Sequence, residues 1–195
     1  MPWGCRFLRP YFAQHFVNLN SKMITVISST NRVDSNSKIV SKNLIHLIEK
    51  QGFDSGLLCL EDLPREFGLP NAYGVIPESF KQDCSTYIET VDRFIFVIPE
   101  YNGSFPGVVK LFLDTLPPEI WEGKKAALVG VASGRAGNLR GLDHFTAVLN
   151  YLKVEVLSKK IPLSSIHECI DERGKISSQE YLTLLAQQIT SLVKF

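Results

Sequence analysis

Charge imbalance is almost absent from this sequence. Its 21 Lys and Arg stand against 20 Asp and Glu, for a formal net charge of +1 at pH 7, with the two signs interspersed. Such a chain carries no electrostatic footprint for nucleic acid or for an acidic membrane surface, which leaves small molecules as the default partners. Paired cysteines are also missing. Cys5, Cys59, Cys84 and Cys169 form no Cys-x-x-Cys and have no His at zinc spacing, so neither a metal site nor a redox pair is written here, and reduced thiols fit a cytoplasmic protein. No run approaches the roughly 20 apolar residues of a membrane helix. Walker-type Gly-x-x-x-x-Gly-Lys and Rossmann Gly-x-Gly-x-x-Gly are both absent, which disfavours an ATPase and a dedicated dinucleotide fold. His15, His46, His144 and His167 have no triad or metal partners that spacing reveals, so nothing argues for Ser-His-Asp hydrolysis. Internal repeats and low-complexity tracts are lacking too.

What remains is alternation. Ile24–Ser28 reads as a strand, and Ile39, Leu44, Ile45, Leu47 and Ile48 then give an apolar helix face closed by Gly52. Leu57–Leu60 is a second strand, followed by a stretch over 61–78 that holds Pro64, Gly68, Pro70, Gly74 and Pro77. A loop of that length suits a lid or a subunit contact. Phe80, Cys84, Tyr87, Ile88 and Val91 recur at helical spacing and lead into a third strand, Phe94–Ile98. Pro106 is placed to start a helix in which Val108, Val109, Phe112 and Leu116 mark one side and Leu111 and Leu113 broaden it. A helix apolar on more than one side is buried twice, in a subunit interface or in a deep core. Ala126–Val131 is the fourth strand, Leu139, Leu142, Phe145, Leu149 and Leu152 mark a helix, and Val154–Leu157 is the fifth strand. Ser177 with Glu180 predicts a capping box for a last helix carrying Leu182, Leu185, Ile189 and Leu192 inward. Such a series is an α/β pattern with a parallel sheet.

Three loops follow strands one, three and four. Residues 28–37 are Ser-Ser-Thr-Asn-Arg-Val-Asp-Ser-Asn-Ser, rich in hydroxyls and amides around one guanidinium. A loop of many donors that opens a helix, where backbone N–H groups are free, suits a phosphate. It reads equally as a polar turn with Asp34 or Ser35 capping the helix. Residues 99–107, Pro-Glu-Tyr-Asn-Gly-Ser-Phe-Pro-Gly, lie at a strand's carboxyl end, where open α/β sheets bind ligands. A tight loop before a helix explains the same residues. Ser133-Gly134-Arg135-Ala136-Gly137-Asn138-Leu139-Arg140-Gly141 lets backbone approach a planar ligand or simply makes a turn.

Pro99-Glu100-Tyr101-Asn102-Gly103-Ser104, followed by Pro106-Gly107-Val108-Val109-Lys110 and Asp114, closely resembles the signature of the NADPH-dependent FMN reductase family. The family's phosphate loop, Gly-Ser-x-Arg-x-x-Ser-x-Asn, falls on Ser29, Thr30, Arg32, Ser35 and Ser37, with departures at Ser29 and Ser37; Asn36 is adjacent to the missing amide. The resemblance spans about Met23 to Leu157. It implies a flavodoxin-like, doubly wound five-stranded parallel sheet in the order 2-1-3-4-5, with FMN phosphate held by Thr30, Arg32, Ser35, Asn36 and Ser37. Pro99, Glu100, Tyr101, Asn102 and Gly103 then border the isoalloxazine ring, and Ser133, Gly134 and Arg135 contact it. Asp34 fits beside a dianion only if it points outward, and Arg135 or Arg140 is a candidate partner for the 2′-phosphate of NADPH. Lys110 and Asp114 are a structural helix pair.

The implied activity is transfer of electrons from NADPH or NADH through FMN to a quinone, azo compound, metal oxyanion or flavin, with the chemistry on the flavin and no catalytic side chain or metal required. A homodimer or homotetramer is expected. The competing reading is a non-enzymatic flavodoxin-like electron carrier, against which the balanced charge argues mildly. A response-regulator receiver lacks its acidic pair and phosphoacceptor Asp here. Residues 1–22, rich in aromatics and without an acidic residue, read as a transit segment or as a product of an upstream start. The latter agrees with a family whose members begin near Met23, so the FMN-binding domain is expected over 23–195 with 1–22 outside the fold.

Overall fold

The computed structural model describes residues 23–68 and 73–195; the expectation for residues 1–22 lies outside them. Strand β1 (Met23–Ser28) is an inner strand of the sheet and is followed by helix α1 (Asn36–Lys50). Strand β2 (Asp54–Cys59) is followed, after residues 60–80, by a short helix α2 (Lys81–Cys84) that widens into a π-helical turn over Ser85–Glu89. Then come β3 (Arg93–Pro99), α3 (Gly107–Thr115), β4 (Lys125–Val131), α4 (Leu139–Tyr151), the two-residue β5 (Glu155–Val156), β6 (Ile161–Leu163) and α5 (Gln179–Lys194). The strands pair in parallel in the order β2-β1-β3-β4-β5, as expected, and β6 adds to β4 through Val129, Gly130 and Val131. The sheet therefore has six strands, one more than the sequence reading placed.

The central strands are apolar on both faces because both faces are covered. Phe94, Phe96 and Ile98 of β3 and Ala126 and Leu128 of β4 join the core beneath α2, α3 and α4. Ile95, Val97, Ala127 and Val129 join the core beneath α1 and α5. Phe94, Phe96, Phe112 and Trp121 pack at centroid separations of 5.6–6.3 Å, a spacing at which aromatic pairs add to the gain from burial alone. Helix α3 buries Val109, Phe112 and Leu113. Part of its second apolar side is covered by the loop that follows β2, since Leu111 lies 3.3 Å from where a side chain on Gly68 would begin.

Two local expectations shift. Ser178, not Ser177, caps α5 by accepting from the Tyr181 N–H, while the Ser177 hydroxyl bonds the Cys169 carbonyl. Adjacent serines offer the same capping chemistry, and only the backbone conformation decides between them. The stripe over 80–91 buries Phe80, Cys84, Ile88 and Val91 as expected, though its last turn is π-helical. There the Lys124 ammonium, itself buried, donates to the Ile88, Glu89 and Val91 carbonyls at 2.6–3.3 Å. Desolvation lowers the pKa of this lysine, while the carbonyls satisfy its protons. Among the described residues no helix is long and apolar enough to cross a membrane.

Candidate functional site

Strands β1, β3 and β4 end at the same edge of the sheet, which brings their three loops together. Ser29 continues the ladder, its N–H bonding the Val97 carbonyl at 3.0 Å. The chain then turns through Asp34 at φ +53 and enters α1, where the Ser35 hydroxyl caps the helix by accepting from the Lys38 N–H. Ser35 still has its own proton to give, and the first N–H groups of α1, on Asn36 and Ser37, have no intrahelical acceptor. The side chain of Ser37 is buried, and its Oγ has no hydrogen-bond partner. A buried hydroxyl without a partner is costly, and a ligand oxygen would relieve that cost.

The second loop is a two-residue hairpin. Tyr101 and Ser104 exchange both backbone hydrogen bonds at 3.0 Å, and Asn102 and Gly103 between them have φ +51 and +74. Positive φ at both central positions is the turn for which Asn-Gly is suited. The Tyr101 hydroxyl lies 2.8 Å from Thr30 Oγ1, which also accepts the Arg32 N–H. Thr30 therefore ties the first loop to the second.

The third loop is pinned from below. Ser164 Oγ donates to the Arg135 carbonyl at 2.6 Å, and the Ser165 and Ile166 N–H groups bond the Gly134 and Ala132 carbonyls at 3.2 Å. Gly137, at φ +56, sits on Pro162, which a side chain there would meet at 2.5–2.9 Å. The glycine accommodates protein packing, while nothing lies within 4 Å of the place a side chain on Gly134 would occupy. Asn138, also at positive φ, starts α4 and donates to the Ile98 carbonyl at 3.0 Å.

Together these elements enclose an open cavity of about 260 Å³. Arg32, Ser35, Asn36 and Ser37 border it from the first loop, Pro99, Glu100 and Tyr101 from the second, and Ser133 from the third. Thr30, Asn102, Gly103, Gly134 and Arg135, also expected at the site, do not border this cavity. Thr30 is buried behind it through its bond to Tyr101. Asp34, Val131, Ala132 and Ile166 border it without having been expected to. Asp34 thus does not stand clear of the site, and the charged residues around the cavity are Arg32, Asp34 and Glu100. Lys38, in the first turn of α1, is engaged by Glu61, which leaves Arg32 as the cation bordering the cavity. The arrangement offers hydroxyl and N–H donors with one guanidinium at a helix start, and small side chains with a tyrosine beyond. It suits a ligand with an anionic end and a flat body.

The family profile described as NADPH-dependent FMN reductase matches residues 23–168. Among characterised proteins, the chain is 35% identical over 109 residues to an NAD(P)H-dependent FMN reductase of Pseudomonas aeruginosa, covering 54% of this chain and 59% of that protein. It is 30% identical over 110 residues to a 2-hydroxy-1,4-benzoquinone reductase of a Burkholderia species, covering 54% and 58%. The matched stretch thus spans less than two thirds of either relative. Among solved structures, a flavoenzyme NAD(P)H:(acceptor) oxidoreductase from Paracoccus denitrificans superposes with a TM-score of 0.71 at 25% identity, covering 88% of this chain and 95% of that one. An archaeal flavodoxin, with a TM-score of 0.54 at 12% identity and coverage of 88% and 96%, shares the fold.

Proposed function

Because the chain belongs to the NADPH-dependent FMN reductase family, we propose that it binds FMN in the cleft at the strand ends and passes electrons from NADPH or NADH to a small-molecule acceptor. A quinone, azo compound, metal oxyanion or flavin fits that role. The observation that carries the reading is the buried, unpartnered Ser37 Oγ beside the free N-terminus of α1. Those donors, with the Ser35 hydroxyl and Arg32, form a set suited to a phosphate monoester. The flavin, when bound, supplies the hydride and electron chemistry. The protein's part is to hold and orient it.

Arg32 and the start of α1 fix the phosphate end. The Thr30–Tyr101 hydrogen bond keeps the two loops in register, so the ring end is set relative to the phosphate end. Pro99, Glu100, Tyr101 and Ser133 border the other part of the cavity, and their backbone groups and small side chains leave room for a flat ring. No side chain is required as an acid or a base, which leaves acceptor choice to the shape of the open side. The competing reading, an electron carrier without nicotinamide turnover, is less consistent with relatives named as FMN and quinone reductases.

The test is the absorption spectrum of the purified protein, followed anaerobically with NADPH and with NADH. A bound-flavin spectrum bleached by either donor is expected, with ping-pong initial-rate patterns. A flavin that neither donor bleaches would favour the carrier. Assembly into a homodimer or homotetramer is proposed on the apolar groove where Leu113, Leu116, Val148 and Leu152 meet Tyr73 and Tyr151, and light scattering at micromolar concentration checks it. A chain beginning at Met23 is expected to keep flavin and activity.

A further inference from the structure

Against the Tyr101–Ser104 hairpin, among residues that do not border the cavity, lies a cluster that the FMN reading does not use. Ser104 Oγ is 3.0 Å from Nδ1 of His144 on α4. Arg140, one turn earlier on the same helix, brings Nη1 to 3.0 Å from where a side chain on Gly103 would begin. Gly103 thus leaves the space over the turn to a guanidinium. Among the described residues Arg140 makes no ion pair, and Asp143, its neighbour on the helix, pairs with Lys160 at 3.3 Å.

The placement is also locally unfavourable. Arg140 stands in the first turn of α4, which has no acidic residue, and the helix dipole disfavours a cation there. A residue that violates a local rule without a structural partner is where function is expected. A guanidinium beside a hydrogen-bonded hydroxyl–imidazole pair at a half-buried glycine turn matches a phosphate monoester, which accepts from the guanidinium and from the one proton the Ser104–His144 pair leaves free.

We propose that Arg140, with His144 and Ser104 beside it, recognises the 2′-phosphate of NADPH and so makes this patch the determinant of preference for NADPH over NADH. The inference rests on the reading of the cleft as the FMN site, since a nicotinamide donor would then approach across this hairpin. Arg140 is preferred to Arg135, whose carbonyl is held by Ser164 and whose guanidinium, among the described residues, has no hydrogen-bonded imidazole or hydroxyl. NADH has a hydroxyl where NADPH has the phosphate, so the patch discriminates by charge.

The test uses R140A and R135A in the FMN-loaded full chain. The ratio of kcat/KM for NADPH to that for NADH is expected to fall about 10- to 150-fold in R140A, the range for a lost hydrogen bond to a charged group. Calorimetry with 2′,5′-ADP and 5′-AMP provides a readout that needs no turnover. The wild-type protein is expected to favour 2′,5′-ADP, and R140A to lose that preference. An unchanged ratio in R140A, an equal loss for both donors, or a shift produced by R135A instead would overturn the proposal. Absence of bound FMN in the wild-type protein would overturn the underlying reading, and that outcome is visible in the spectrum before any donor is added.

Discussion

Replacing Ser37 with Ala is expected to make the flavin-free protein more stable and its flavin affinity weaker. The Oγ is buried without a partner, and Ser37 borders the cavity at the start of α1. Burying an unsatisfied hydroxyl costs about 1–3 kcal/mol, and Ala exceeds Ser in helix propensity by a few tenths. Against some loss of packing, S37A is expected to gain about 1–2 kcal/mol, or about 2–8 °C in Tm for a domain of this size. In the proposed FMN complex the same hydroxyl is the donor reserved for the phosphate. Its loss there costs about 1.5–3 kcal/mol, a weakening of FMN binding of about 10- to 150-fold. Differential scanning fluorimetry of the flavin-free protein and fluorescence titration with FMN read the two effects separately. A lower Tm together with unchanged FMN affinity would refute the reasoning, because Ser37 would then be a packing residue and not a reserved donor.

Gly137→Ala is expected to destabilise the fold by about 2–4 kcal/mol in urea melts, because positive φ and the close approach of Pro162 oppose a side chain together; a loss below 1 kcal/mol would contradict that packing. Burial pushes the Cys84 thiol up to about 12, so between about pH 9 and 12 the unfolded chain has released a proton that the folded chain still holds. Stability therefore falls as pH rises through that window, by up to about 1.4 kcal/mol per pH unit. C84A is expected to remove this part of the slope, and equal slopes in the two proteins between about pH 9 and 10.5 would refute it.

The strands and helix faces were legible because doubly covered strands are apolar throughout and the helices keep a stripe. Val97 and Ile98 point to opposite cores, yet both belong to one uninterrupted run. The sixth strand was not legible: Ile161-Pro162-Leu163 is short, contains a proline, and forms only because β4 offers a free edge beyond the short β5. Ile166 reaches the cavity through Ser165 at φ +43, a conformation no local pattern announces. At the site, residue type pointed to chemistry but not to direction. The hydroxyls of Thr30 and Ser37 look alike in the sequence, yet one is spent on Tyr101 and the other is unpartnered. Likewise His144 acquires its partner, Ser104, only when the start of α4 packs against the hairpin.

The central claim is that the start of α1 and Arg32 are built for a terminal phosphate. It is tested most directly by titrating the flavin-free protein with FMN and with riboflavin, in the wild type and in R32A. The account predicts that FMN binds at least about 100-fold more tightly than riboflavin to the wild type, and that R32A weakens FMN by about 1.5–3 kcal/mol while leaving riboflavin nearly unaffected. Equal affinity for the two flavins in the wild-type protein would contradict it.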